Sequence, residues 1–309
     1  MALKHKSTPT RNPFRFESSS STDLPPLHVW FRDEKARQDF SKNFPKCGVH
    51  PECHVILSDF ANTALPDVIH TQGWESLCEI PLRCPIVFIR EFYSNMHGID
   101  TSVPQFTMVL WGTYIVVAPD LISEILHVLR IAHLDYPGYQ RLRTVSKDEL
   151  LSHFYETPSI WGERQNTPCS GFAKGPRFLN MVMIFVYTPL SHYNSITETR
   201  AWFLLSLLKD LSIYFPSHFI ISIIDLYRDT ATSDKLIFPS AITQYFAIFF
   251  IPIPDSPLYT VMGAISAASI TTRKLSCCGG PIVAGAKTAA ICHLLWCIFG
   301  PSLDRKSVV

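Results

Sequence analysis

Residues 176–228 read PRFLNMVMIFVYTPLSHYNSITETRAWFLLSLLKDLSIYFPSHFIISIIDLYR. Their punctuation predicts three consecutive helices. Pro176 opens RFLNMVMIFVYT, because a proline at the first helical position lacks only an N–H that would be unsatisfied there anyway. Pro189 closes it. Ser195-Ile196-Thr197-Glu198 has the form of a capping box, in which the serine hydroxyl accepts from the third helical amide and the glutamate reaches back. It introduces AWFLLSLLKDLSI, which runs up to Pro216, and Ser217 to Arg228 follows. From Phe178 to Leu226 only Glu198, Arg200, Lys209, Asp210 and Asp225 carry charge. Helices this apolar belong at the centre of a bundle or in a membrane.

Towards the N-terminus the same signals recur. Arg32 to Phe44 reads as an exposed amphipathic helix. Ile86 to His97 follows Pro85 and stops before Gly98, the usual order of a helix start and end. Gln105 to Ala118 differs: β-branched and aromatic runs flank Trp111-Gly112, the pattern of a hairpin. Pro119 then opens PDLISEILHVL, with Leu121, Ile122, Ile125, Leu126 and Leu129 on one face. Ser146 to Glu149 is another capping box. Beyond the central stretch, Ser240 to Phe250 and Ser256 to about Ser269 read as helices separated by Ile251-Pro252-Ile253-Pro254. The expected fold class is mainly α, an irregular multi-helix bundle with one small β-hairpin at Gln105–Ala118.

Length and composition narrow the functional classes. The 309 residues allow two domains or one large one. Hydrophobic residues make up 47% and charged residues 17%, which excludes a disordered chain, a coiled coil or a charge-driven nucleic-acid arm as the whole answer. The 27 basic and 26 acidic residues leave no global field for polyanions. Nine cysteines, at 47, 53, 78, 84, 169, 277, 278, 292 and 297, are odd in number, and Met1 to Glu17 has no apolar core of a signal peptide. Free thiols in a reducing compartment are expected, hence an intracellular protein, cytoplasmic or nuclear.

The ends read differently from the body. Residues 1–26 hold eight Ser/Thr and four Pro and are expected to form a disordered tail. Residues 27–272 form the expected domain and 273–309 a separate tail. Its last six residues, Asp304 to Val309, resemble the translated read-through of a sequencing adapter. Pro281 to Gly300 has the length of a membrane span and supplies the alternative location. However, Lys287 lies within it, where a cation costs about 2.5–3.5 kcal/mol on insertion scales. No integral membrane insertion is expected.

Candidate chemistry is sparse. Cys47, His50, Cys53 and His54 place four soft ligands in one short loop, without the distant second pair that closes a tetrahedral zinc site, so a surface loop is expected. Gly280 to Thr288 nearly spells a phosphate-binding loop, but Ala286 separates Gly285 from Lys287 and no strand precedes it. Asp229-Thr230-Ala231 is close to an aspartic-protease triplet, yet it follows a helix and has Ala where the tight turn needs Gly. No catalytic residue, cofactor site or metal site is assigned.

Four segments, Trp74 to Cys78, Arg90 to Met96, Ala173 to Asn180 and Pro252 to Ile265, come in an order that resembles the plant transposon protein domain family. That family is found in open reading frames derived from plant LTR retrotransposons. The likeness runs from about Arg32 to Thr272. The chain departs from the family in having Trp111 where a basic residue is usual, and in lacking basic residues at Gln244 to Phe250. The resemblance implies an element-encoded protein without established catalytic residues. A non-enzymatic structural or interaction role is therefore expected, with other element-encoded proteins or nucleic acid as partners. The alternatives are an element-encoded nuclease or protease, or an accessory protein that binds nucleic acid.

Overall fold

Proline and short polar residues start the helices of the computed structural model, which describes residues 30–79, 81, 85–110, 113–131, 145–162, 166–188, 194–229, 235–249 and 263–266. Asp33 caps α1 (Glu34–Gln38) by accepting from the Ala36 amide at 2.8 Å. The chain continues through a π turn, Asp39–Asn43, and a 3-10 turn, Phe44–Lys46, into the short strand β1 (Gly48–Val49). Helix α2 (Leu65–Gln72) ends on Gly73, whose φ of 66° lets the Gly73 and Trp74 amides turn back onto the His70 and Ile69 carbonyls. Helix α3 (Ile86–Ser94) follows Pro85 as expected. Strands β2 (His97–Asp100), β3 (Gln105–Leu110) and β4 (Thr113–Val117) form an antiparallel sheet in that order.

Pro119 opens α4 (Pro119–Leu126), and the Ser146 hydroxyl accepts from the Glu149 amide at 3.1 Å to cap α5 (Lys147–Ser152). After β5 (Asn166–Pro168), α6 (Lys174–Val182) widens into a second π turn, Met183–Tyr187. Strand β6 (Ser195–Thr197) leads directly into α7 (Glu198–Leu208). Helix α8 (Phe215–Arg228), β7 (Lys235–Leu236) and α9 (Pro239–Ile248) complete the order. Within α8, Phe219, Ile220, Ile223 and Ile224 form the inner row and are all buried. Burying each such side chain contributes on the order of 1.5–3 kcal/mol.

The expected helix bundle with one hairpin is corrected. Helices dominate, but among the described residues they are interleaved with three small sheets, and the fold is mixed. The hairpin itself holds, with Phe106 opposite Val117 and Met108 opposite Ile115 on the buried face, while its turn at 111–112 lies outside the described residues. Strand β2 joins it as a third strand. The other two sheets pair β1 with β7 in parallel, Gly48 opposite Lys235, and β5 with β6 antiparallel. These strands are two or three residues long, too short to show an alternating pattern, and their partners are distant in the chain.

Smaller corrections have similar causes. Gly98 does not stop a helix: α3 ends at Ser94, and Gly98, at φ 55°, sits where the β2–β3 register shifts. Ser195 is a strand residue, and Thr197 is the cap of α7, accepting from the Arg200 amide at 3.5 Å. Leu129 leaves the apolar face of α4 because His127 turns left-handed at φ 52°; it covers Gly73 instead, where an added Cβ would come within 2.4 Å of its Cγ. Within the expected helix 256–269, Gly263 to Ser266 is extended, and Ile265 bridges to Val55. The tails 1–26 and 273–309, including 281–300 and the last six residues, lie outside the described residues.

One buried cluster runs through all three sheets and the helices between them. Trp74 meets Tyr187 at 4.4 Å and Phe215 at 5.7 Å, and Phe88 stacks on Phe246 at 4.5 Å. Phe92 stands edge-on to Phe106. Such ring pairs add about 0.5–1.5 kcal/mol each beyond the area they bury. Among the described residues, no helix is long and apolar enough to cross a membrane.

Candidate functional site

Helix α3 and the two residues after it carry the segment Arg90 to Met96, and nearly every polar group in it is bonded to another part of the backbone. Arg90 donates from Nη2 to the Pro45 and Cys47 carbonyls at 2.9 and 3.2 Å. The Tyr93 hydroxyl donates to the Ile237 carbonyl and accepts from the Ile237 amide, fixing the chain between β7 and α9. Burial drives that phenol far above its usual range. Asn95 donates from Nδ2 to the Trp30 carbonyl at 2.7 Å, while its Oδ1 accepts from the Arg32 amide at 2.9 Å. The Met96 carbonyl accepts from Arg32 Nη1 at 3.1 Å. Arg90 Nε and the Glu91 carboxyl are the exceptions among the described residues. Glu91 is 0% exposed, and neither of its carboxylate oxygens has a hydrogen-bond partner there. Burial pushes its pKa up to about 8, so the protonated acid is the major form near pH 7.

The other segments behave alike. Beside Trp74, Gln72 is buried; its Nε2 donates to the Leu211 carbonyl at 2.8 Å and its Oε1 accepts from the Ile213 amide at 3.1 Å. Those bonds hold the chain just after Asp210, which takes a φ of 54°. The Ser76 hydroxyl donates to the Leu126 carbonyl, and Cys78 Sγ lies 3.4 Å from the Tyr187 hydroxyl. Burial raises the Cys78 thiol to about 11, against the opposing effect of that hydroxyl. In α6, Asn180 donates to Cys169 Sγ at 3.5 Å and accepts from Arg200 Nη2 at 3.4 Å, while Arg200 Nη1 reaches the Ser195 carbonyl. Burial also lifts Cys169 to about 11, although Arg200 pulls the other way. These thiols are poor nucleophiles.

The Cys/His loop is not on the surface. Cys47, His50 and Cys53 are buried, the His50 amide donates to the Leu236 carbonyl, and the His54 carbonyl accepts from Ile265. Between them Glu52 accepts from the Ser240 amide at 2.9 Å, placing a carboxylate at the positive end of α9. The loop thus ties β1 to β7 and α9. Asp229 ends α8 and is exposed; Thr230 and Ala231, and the glycine-rich stretch 280–288, lie outside the described residues. Among the described residues no three His, Cys, Asp or Glu side chains gather as metal ligands. The surface offers instead an open cleft of about 560 Å³ lined by Tyr155, Ser159, Ile160, Gly162, Asn166, Thr167 and Pro168. None of these described lining side chains is charged. Tyr114 and Val116 stand exposed on the outer face of β4.

Sequence reasoning missed the buried Glu91, Gln72 and Arg200. Glutamate and arginine on helices usually face water, and nothing in their spacing marks these as interior. No curated protein and no solved structure matches the chain. The family model for the Putative plant retrotransposon-related domain matches residues 70–252, from the end of α2 to just beyond α9. With well over half its length inside that match, and with Trp74, Arg90 to Met96 and Asn180 all inside it, the chain belongs to this family of retrotransposon-derived proteins.

Proposed function

We propose that this retrotransposon-derived chain is a non-enzymatic structural or interaction protein of its element, acting beside a capsid-like protein in the cytoplasm or nucleus. One observation carries the reading: Gln72, Arg90, Tyr93, Asn95 and Asn180, all within the family match, are bonded to backbone or to other side chains of the interior, so they hold a shape rather than face a substrate. The described surface pairs that rigid interior with neutral relief, the cleft beside the exposed Ile160 and the outer face of β4. A nuclease would need carboxylates converging on a divalent ion. A protease of the aspartic type would need two aspartates sharing a proton. The free cysteines Cys47, Cys53, Cys78 and Cys169 suit a reducing compartment.

The test uses the purified full chain. Mixed with a capsid-like protein of the same class of element, it should co-elute as a complex, and Ile160→Asp or Tyr114→Asp should weaken that complex without changing circular dichroism. Incubated with plasmid DNA and Mg²⁺ or Mn²⁺, or with the element's polyprotein, it should leave both intact. Cleavage that disappears on replacing Asp229 or another single carboxylate would overturn the proposal. Salt-sensitive retention on DNA without complex formation would move it to an accessory nucleic-acid role.

A further inference from the structure

Residues 30–47 form a strap that is clipped to α3 at both ends. At one end Asn95 bonds the Trp30 carbonyl and the Arg32 amide, and Arg32 Nη1 bonds the Met96 carbonyl. At the other, Arg90 holds the Pro45 and Cys47 carbonyls. Between the clips the strap contains the π turn Asp39–Asn43, a wide turn that tends to mark functional positions. Phe31 packs on Phe40 within the strap, and Phe44 reaches Tyr93.

At about 100° per residue, Arg90, Ser94, Glu91 and Asn95 fall near 0°, 40°, 100° and 140° around α3. Glu91 therefore lies between the two clips on the face that the strap covers. Phe88 and Phe92, at about 160° and 200° on the same scale, border that face and pack elsewhere, Phe88 on Phe246 of α9 and Phe92 on Phe106 of β3. An acid that is fully buried without a partner is stable only while protonated.

We infer that the strap Trp30–Cys47 is a proton-sensitive lid over Glu91, closed while the carboxyl is neutral and lifted when it ionises. The surroundings leave that role to Glu91. The strap brings Arg32, Asp33, Glu34, Lys35, Arg37, Asp39, Lys42 and Lys46, α3 itself brings Arg90 and Tyr93, α9 brings Tyr245 and α8 brings Tyr227, while β3 brings no ionisable group. None of them offsets the burial of Glu91, which alone sets its proton affinity. Lifting the strap returns the carboxyl to water, where it ionises in the ordinary range, so opening releases one proton.

Hydrogen exchange on the full chain reads the lid directly. Corrected for intrinsic rates, protection of strap amides should fall about tenfold per pH unit between pH 6 and pH 8. In Glu91→Gln that slope should vanish while the strap stays protected. Asn95→Ala should lower protection equally at every pH, keeping the slope. Strap protection that is independent of pH in the unmodified chain would overturn the inference. A slope retained in Glu91→Gln, or one shared equally by the amides of α7 and α8, would do the same.

Discussion

Replacing Glu91 by glutamine should stabilise the protein, and by an amount that grows with pH. Glu91 is 0% exposed and holds its proton up to about pH 8, whereas in the unfolded chain it loses it near its ordinary value of 4.5. Between those values the folded state binds more protons than the unfolded one, so stability falls as pH rises, and above about 8 the slope disappears. The slope is about 1.4 kcal/mol per pH unit, so from pH 5 to pH 8 the unmodified chain should lose about 4 kcal/mol relative to Glu91→Gln. That is a large fraction of the 5–15 kcal/mol typical of a whole domain. Lifting of the strap would flatten the upper part of this curve without changing its sign. Urea titrations of both chains, followed by circular dichroism from pH 5 to 8.5, measure the difference free of titrations they share. A difference below about 1 kcal/mol across the range, or one that shrinks with rising pH, would refute the reasoning.

His218 gives the opposite sign: with its ring against Phe203 and Phe215, burial lowers its pKa to about 4. The unfolded ring protonates first, so stability should be lost as pH falls from 6.5 towards 4, and His218→Gln should flatten that arm in the same titrations. Gln72→Ala strips partners from the Leu211 carbonyl and Ile213 amide, and should cost about 2–4 kcal/mol by urea midpoint, with faster exchange at residues 211–213. Phe88→Ala removes a fully buried ring from the Phe246 stack and should cost about 3–5 kcal/mol in the same assay. Cys78 and Cys169, both lifted to about 11 by burial, should resist iodoacetamide at pH 8 in the folded chain and react once urea unfolds it, as peptide mass mapping would show.

What the sequence made legible follows from the range of each interaction. Pro85, Pro119, Pro216 and Ser146 act within one helical turn, and the helices they start are present. The β3–β4 hairpin joins neighbouring runs, so its register is also local. The pairing of Gly48 with Lys235 depends on the whole intervening chain bringing β1 and β7 together, and two residues carry no periodic signal of it. Thr197 displaced Ser195 as the cap for the same reason: β6 must pair with β5, so the helix can start only after it. The Cys/His loop was misplaced at the surface because its composition reports ligand chemistry, while its burial follows from contacts with Leu236, Ser240 and Ile265.

On the interaction role proposed above, the family segments also bear on where a partner would bind. Trp74 sits on the π turn after α6, Tyr93 fastens β7 to α9, Asn95 and Arg90 fasten the strap, and Asn180 joins Cys169 to Arg200. Each of these side chains links separate elements, and each would leave a buried polar group or ring surface unpaired if replaced, at about 1–3 kcal/mol per lost polar partner. Side chains placed in this way fix the interior of the chain. Under that proposal, recognition would belong to positions such as Ile160 beside the cleft and Tyr114 and Val116 on β4, which stand in water and can change without disturbing the core. Two relatives with the same interior and different residues at those positions should exchange partners when only those residues are exchanged.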